Sequence, residues 1–292
     1  SLELKPDNPD AHMNLGGIHQ ELGQLDQALI AAKKSIELDS HNPQAYTTLS
    51  ALYIKANKPE QAKNACEEGL RINGKDIRLQ NNLSTALSKI TPLWHIAMMN
   101  DVERNRCYSE AIKKAIKPND LVLDIGAGSG LLSMVAADAG ASKVIACESV
   151  IPIAETAQKI IKKNGFEDKI SVFGVNSKNI KISKEMPRKA DIIISEVFSS
   201  EMVGEGILLT LQDSRERLLK EGGRMIPECA EIKFALLGTN PEVSRKTYPG
   251  VDSCYELEGF RKVCPKKVPV ELIESPFLLS NAETAFYFDF RE

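Results

Sequence analysis

Between Pro9 and Ile90 the apolar and small positions return at a fixed interval of 34 residues. Leu15, Leu49 and Leu83 fall into register, as do His12 with Tyr46, His19 with Tyr53, Ala28 with Ala62, Pro9 with Pro43, and Ile36/Leu38 with Leu70/Ile72. A repeat of this length predicts stacked pairs of antiparallel helices, each pair burying a face against its neighbour that it could not bury alone. Gly16, Ser50 and Ser84 take the positions where helices are expected to cross closely, and Ala28 and Ala62 those inside each hairpin. The third unit keeps a first helix, Ile77 to Lys89, and then meets Thr91-Pro92, where proline cannot continue the ladder, so the array is expected to end there. Ser1-Leu2-Glu3-Leu4 matches Ser35-Ile36-Glu37-Leu38, which leads us to expect an earlier repeat upstream.

From Leu121 the pattern changes. The short apolar runs LVLDI, KVIACE, KISVFGV and ADIIISE alternate with the helical stretches GLLSMVAADAG, IPIAETAQKIIKKNG and EGILLTLQDSRERLLKEGG. Such β-α-β alternation predicts a doubly wound parallel sheet covered on both faces, with its ligand in the crevice at the strands' carboxyl ends.

Composition narrows the ligand. Lys plus Arg total 37 against 40 Asp plus Glu among 292 residues, a net charge of −3. That balance, with a pI near 5.9, leaves no large basic surface, so nucleic acid is not expected as a partner. The six cysteines form no C-x-x-C pair and there are four histidines, so no zinc spacing stands out, and scattered thiols suit a reducing compartment. No apolar run approaches membrane-spanning length and the start has no signal-peptide pattern, which predicts a cytoplasmic protein without a membrane partner.

The first strand runs into VLDIGAGSG, where Gly126, Gly128 and Gly130 allow a ligand to approach the backbone. The spacing is G-x-G-x-G, and Asp124 stands two residues before the first glycine, where a carboxylate opposes a dinucleotide's pyrophosphate. The same acid suits the ammonium and sulfonium of S-adenosylmethionine. Glu148, 24 residues beyond Asp124 at the end of the second strand, can accept both ribose hydroxyls. After the fourth strand SEVFSSEMVGEG places Glu196 at the strand's end and Glu205 nine residues on, across a loop.

These segments carry three resemblances. NPDAHMNLGGIHQELGQLDQALIAAKKSIELDSHNP resembles the tetratricopeptide family, which implies a concave face that holds a peptide or protein. The glycine segment resembles the class I S-adenosylmethionine-dependent methyltransferases. SEVFSSEMVGEG is similar to the "double-E" loop of the protein arginine methyltransferases, and LWHIAMMNDVERNRCYSEAIKKAI to that family's H-x-x-M-x-x-D-x-x-R helix, with His95, Met98, Asp101 and Arg104 matching. This last resemblance covers about residues 93 to 292; with the repeats in front it is closest to the family's tetratricopeptide-bearing ninth class, the seventh next.

It implies an arginine N-methyltransferase acting on protein substrates. Glu196 and Glu205 would be its catalytic pair, Arg104 would grip the cofactor's carboxylate, His95 and Met98 would line the methionine pocket, and Ser177 would lie near adenine. It further implies that EIKFALL and TAFYFDF are strands of a β-barrel and that GVDSCYELEGFRKVCPKK is a dimerisation arm supporting a homodimer. The expected organisation is a repeat array over 1–90, a methyltransferase domain over 91–226 and an incomplete barrel over 227–292. There are departures: Lys178 stands at a position often acidic, TPLW replaces a tyrosine-rich stretch, and the chain stops before a T-H-W loop could occur. Two other readings stay open, a class I methyltransferase for another acceptor and a non-catalytic repeat scaffold that only binds cofactor.

Overall fold

The computed structural model describes residues 5–92, 94–198, 202, 206–236, 238 and 278–291. Five helices come first: α1 (Pro9–Glu21), α2 (Leu25–Leu38), α3 (Pro43–Lys55), α4 (Pro59–Ile72) and α5 (Ile77–Ile90). The 34-residue period is written into their starts. Asn8, Asn42 and Asp76 each cap a helix, their side chains accepting N–H bonds from the first turn that would otherwise lack partners. Ala28, Ala32, Leu49, Leu52 and Ala65 form the shared core. Gly69 of α4 shows how tight the stacking is, because a Cβ there would come within 2.8 Å of Tyr46 Cβ. Of the three predicted crossing positions, Gly16 and Ser50 are buried, but Ser84 is exposed. α5 ends at Ile90, and among the described residues no second helix of that repeat lies over it.

Next come α6 (Trp94–Met99) and α7 (Val102–Ala115). The sequence predicted one helical stretch here, and the structure divides it. Asp101 becomes the N-cap of α7, its carboxylate accepting the Arg104 N–H at 2.9 Å, while Lys113 and Lys114 occupy the last turn, where cations suit the helix dipole.

The sheet is built from β1 (Leu121–Ile125), β2 (Lys143–Cys147), β3 (Ile170–Phe173), β4 (Ala190–Ser195) and β5 (Leu219–Ile226), in the order β3-β2-β1-β4-β5 with every pair parallel. α8 (Leu131–Asp138), α9 (Ile151–Lys163) and α10 (Ile207–Leu218) cover it, with a 3-10 turn at Ser177–Asn179. Val122, Ile192 and Ile194 pack toward α7, α8 and α9, and Leu121, Leu123 and Ile193 toward α10. Burial on both faces is why these strands read as continuous apolar runs. β5 corrects the sequence reading, which carried a helix through LLKEGG. The helix stops at Leu218, and β5 runs along the sheet edge with Lys220, Glu221 and Gly222, polar or small residues that hid it.

The chain winds from β1 outward to β3 and then returns to the other side of β1 for β4, which opens a crevice at the carboxyl ends of β1 and β4. β6 (Cys229–Phe234) and β7 (Glu283–Asp289) form an antiparallel ribbon where the sequence predicted barrel strands. Just past β7, Phe290 joins the core beneath α10 and stacks on Phe198 at 5.7 Å between centroids. The predicted dimerisation arm, residues 250–267, lies outside the described residues. Among the described residues no helix is long and apolar enough to cross a membrane.

Candidate active site

Gly126, Gly128 and Gly130 carry the chain from β1 into α8 with φ of +72°, +53° and +81°, a region that favours glycine. Space is short as well: a Cβ on Gly126 would lie 2.4 Å from Val197 Cγ1. The loop is tied to the end of β2, since the Gly126 and Ala127 N–H groups both donate to the Cys147 carbonyl. Glu148 tightens the same junction. Its carboxylate accepts the Gly128 N–H at 3.1 Å and the Val150 N–H at 2.9 Å, and the residue is only 7% exposed. It is therefore a buried organiser of the loop rather than a solvated strand end, with lone pairs left for a ligand.

Asp124 is 1% exposed and accepts the Ser133 hydroxyl at 2.5 Å. Burial pushes its carboxyl up to about 6, with the Ser133 bond acting the other way and the neighbouring Glu148 adding to the rise.

Arg104 reaches from α7 to the end of β4. Its Nη2 donates to Glu196 Oε2 at 2.5 Å and its Nη1 to Asn105 Oδ1 at 2.7 Å, while its Nε is buried without a hydrogen-bond partner. Both members of the ion pair are largely withdrawn from water, at 18% and 15% side-chain exposure. The guanidinium lies over the Tyr108 ring at 5.4 Å, and the Tyr108 hydroxyl donates to the Ser195 carbonyl at 3.1 Å. Burial and the Glu196 charge raise that hydroxyl's pKa well above its usual range. For His95, burial lowers the imidazole below its ordinary value, and the charges of Glu148 and Glu196 act against it.

His95, Met98, Arg104, Gly126, Gly128 and Glu196 line one cleft. A second is lined by Gly126, Ser149, Asn176, Ser177, Val197 and Thr210. The two adjoin at Gly126, giving a trough with a charged end and a neutral end. Thus Arg104, Glu196, His95, Met98, Ser177, Gly126 and Gly128 line the crevice, Asp124 and Glu148 are buried next to lining residues, and Gly130 faces Ile161 in the core instead of the cleft. Glu205 lies outside the described residues. Sequence reading missed Tyr108, Asn105 and Ser133. Tyr108 stands four residues after Arg104, on the same helix face, and that spacing could have found it; Ser133 had no signal of its own.

Comparison with known proteins agrees with this architecture. Residues 9–42 and 43–76 match the tetratricopeptide repeat family, and residues 106–228 match the ribosomal protein L11 methyltransferase (PrmA) family. An arginine N(omega)-methyltransferase of Streptomyces achromogenes subsp. streptozoticus is 39% identical over 149 residues, 51% of this chain and 41% of the relative. Protein arginine N-methyltransferase 7 of Aedes aegypti is 41% identical over 143 residues, 46% of this chain and 21% of the relative. The matched segment thus spans less than half of each of these two relatives. Among solved structures, the Trypanosoma brucei PRMT1 enzyme-prozyme heterotetrameric complex with AdoHcy superposes with a TM-score of 0.60 at 28% identity, over 70% of this chain and 64% of that one. A PRMT6 structure, at 21% identity and a TM-score of 0.54 over 69% of this chain and 67% of that one, shares the fold. The α/β segment of this chain is thus similar to protein arginine methyltransferases, and it follows two segments that match the tetratricopeptide repeat family.

Proposed function

We propose that the chain transfers a methyl group from S-adenosylmethionine to an arginine guanidinium of a protein substrate, with the repeats recruiting that protein. The observation that carries this reading is that Glu196, at the carboxyl end of β4, grips a guanidinium in the structure itself, that of Arg104. Relatives named as arginine methyltransferases support it. The repeats in front favour the ninth class, although the Aedes aegypti relative is numbered seven. A reducing, cytoplasmic setting is consistent with the four described cysteines, all unpaired. A second copy of the chain, docked through the arm, remains part of the proposal.

The residues present fit the cofactor. The orphaned Arg104 Nε gives the charged end a cationic donor still in need of a partner, suited to a carboxylate. Asp124 suits an ammonium, the remaining lone pairs of Glu148 suit a pair of ribose hydroxyls, and the neutral end beside Ser177 suits a flat base. A Cβ on Gly126 would close the junction between the two ends. Bound there, S-adenosylmethionine supplies an electrophilic methyl on a sulfonium.

Glu196, with Glu205, then holds the substrate guanidinium by its planar fork of donors and fixes which nitrogen faces the methyl. The carboxylates also draw positive charge away from the attacking nitrogen. Orientation of this kind is worth on the order of 7 kcal/mol or more.

Glu196→Gln tests the assignment. Methyl transfer to an arginine-rich peptide should fall at least about a hundredfold, or roughly 2.7 kcal/mol, while S-adenosylhomocysteine binds as in the wild type or more tightly. Near-normal turnover would leave a different acceptor as the better reading. Cofactor binding without turnover in the wild type would leave the non-catalytic scaffold.

A further inference from the structure

One face of α10 touches two things at once. Thr210 lines the neutral end of the trough, and Asp213 and Arg217, three and seven residues on, continue the same helical stripe toward the back of the Ser177–Asn179 turn. There Arg217 Nη2 donates to the Ser177 carbonyl at 2.9 Å and Nη1 to the Ile180 carbonyl. The guanidinium's other edge is held by Asp213, with Nε to Oδ1 at 3.1 Å and Nη2 to Oδ2 at 2.8 Å. The turn's own hydrogen bond runs from the Ile180 N–H to the Ser177 carbonyl at 3.1 Å, so Arg217 adds a second bond to that oxygen and supplies one to the Ile180 carbonyl, which lies beyond the turn's own bonding. Ser177 and Ile180 are 4% and 0% exposed, so water is a poor substitute.

We infer that Arg217 is a positioning residue that sets the width of the neutral end of the trough, by locking the turn that forms one wall to the helix that forms the other. This rests on the S-adenosylmethionine reading of the site, and it concerns the base and ribose rather than the amino-acid part. The planar fork of arginine reaches both carbonyls and Asp213 together; a lysine ammonium is a single point and cannot bridge them. Arg217 itself touches no ligand. Its effect passes through Ser177, Asn176 and Thr210, which line the cleft.

The test compares S-adenosylhomocysteine with 5′-methylthioadenosine, which keeps the base and ribose and lacks the amino-acid part. Dissociation constants are read by calorimetry well below each variant's melting temperature, where a residue serving stability alone would leave them unchanged. Arg217→Ala should weaken both ligands by the same factor, at least about tenfold. Arg217→Lys, which keeps charge and stem, should do likewise, and it carries the test if the alanine variant fails to fold. Arg104→Ala should show the opposite pattern, weakening S-adenosylhomocysteine and leaving 5′-methylthioadenosine within about twofold. Unchanged 5′-methylthioadenosine affinity in a folded Arg217 variant would overturn the inference. Failure of the wild type to bind either ligand would instead overturn the cofactor reading beneath it.

Discussion

On the Arg104 side of Gly126 the trough is walled by ionisable groups drawn out of water, with Arg104 on Glu196, Asp124 behind, and His95 within reach of both Glu148 and Glu196. On the Ser177 side it is walled by small neutral groups and aliphatic side chains. Withdrawn ion pairs add little to net stability, because desolvation offsets their attraction, yet removing one partner leaves an uncompensated charge. The charged end is therefore suited to selecting by charge and should respond to pH. The neutral end, without charge, selects by shape and by the uncharged polar groups of Ser149, Asn176, Ser177 and Thr210, and so depends on what holds its walls.

The sharpest way to break this division is at the junction. Gly126→Ala forces a side chain into positive φ and against Val197, where each effect costs about 1 to 3 kcal/mol. We expect the domain to lose about 2 to 4 kcal/mol in urea denaturation and S-adenosylhomocysteine binding to fall below detection. Undiminished binding would mean that the two clefts serve separate ligands. Glu148→Ala comes next, since it removes the acid that pins the glycine loop and faces the proposed ribose. Affinity for S-adenosylhomocysteine should drop by about 1.5 to 3 kcal/mol with the domain still folded, and unchanged affinity would place the ribose contact elsewhere.

Acidity should separate the ends without any mutation. Asp124 titrates near 6 in the fold against an ordinary value of 3.8, so between those pH values the folded state binds more protons than the unfolded one. Its contribution to stability therefore declines as pH rises from about 4 to about 6. A cationic ligand group favours the ionised acid, so S-adenosylhomocysteine should bind up to about tenfold more weakly at pH 5 than at pH 7. Calorimetry across that range should show the slope in the wild type and lose it in Asp124→Asn. A slope that survives in the variant would assign the titration to His95.

Legibility followed how local each cause is. The repeat period, its caps at Asn8, Asn42 and Asp76 and its stop at Thr91-Pro92 are near-neighbour effects, readable without tertiary structure. The central strands showed themselves because burial on both faces demands apolar runs, whereas β5 hid behind an exposed polar edge. At the site, the glycines and strand-end acids follow from chain geometry. The Arg104–Glu196 pair joins residues 92 apart, and its burial depends on how α7 packs, which no spacing records. The split between α6 and α7 was available in principle, since Asp101 directly ahead of Val102, with Glu103 in the first turn, is an N-cap pattern.

The smallest effect should come from Tyr108→Phe, which asks how much of the charged end is held by packing and how much by hydrogen bonding. The ring would remain under the Arg104 guanidinium, so the cation–π contact and most of the burial persist. Only the hydroxyl goes, and with it the donor to the Ser195 carbonyl. Ser195 is 1% exposed, so its carbonyl has little water to turn to. Loss of about 1 kcal/mol in urea denaturation is the expected result, with methyl transfer changed by less than about fivefold. Because Ser195 immediately precedes Glu196, a much larger loss of turnover at unchanged stability would show that this hydrogen bond aims the acid itself. The charged end would then depend on held walls as much as the neutral end does.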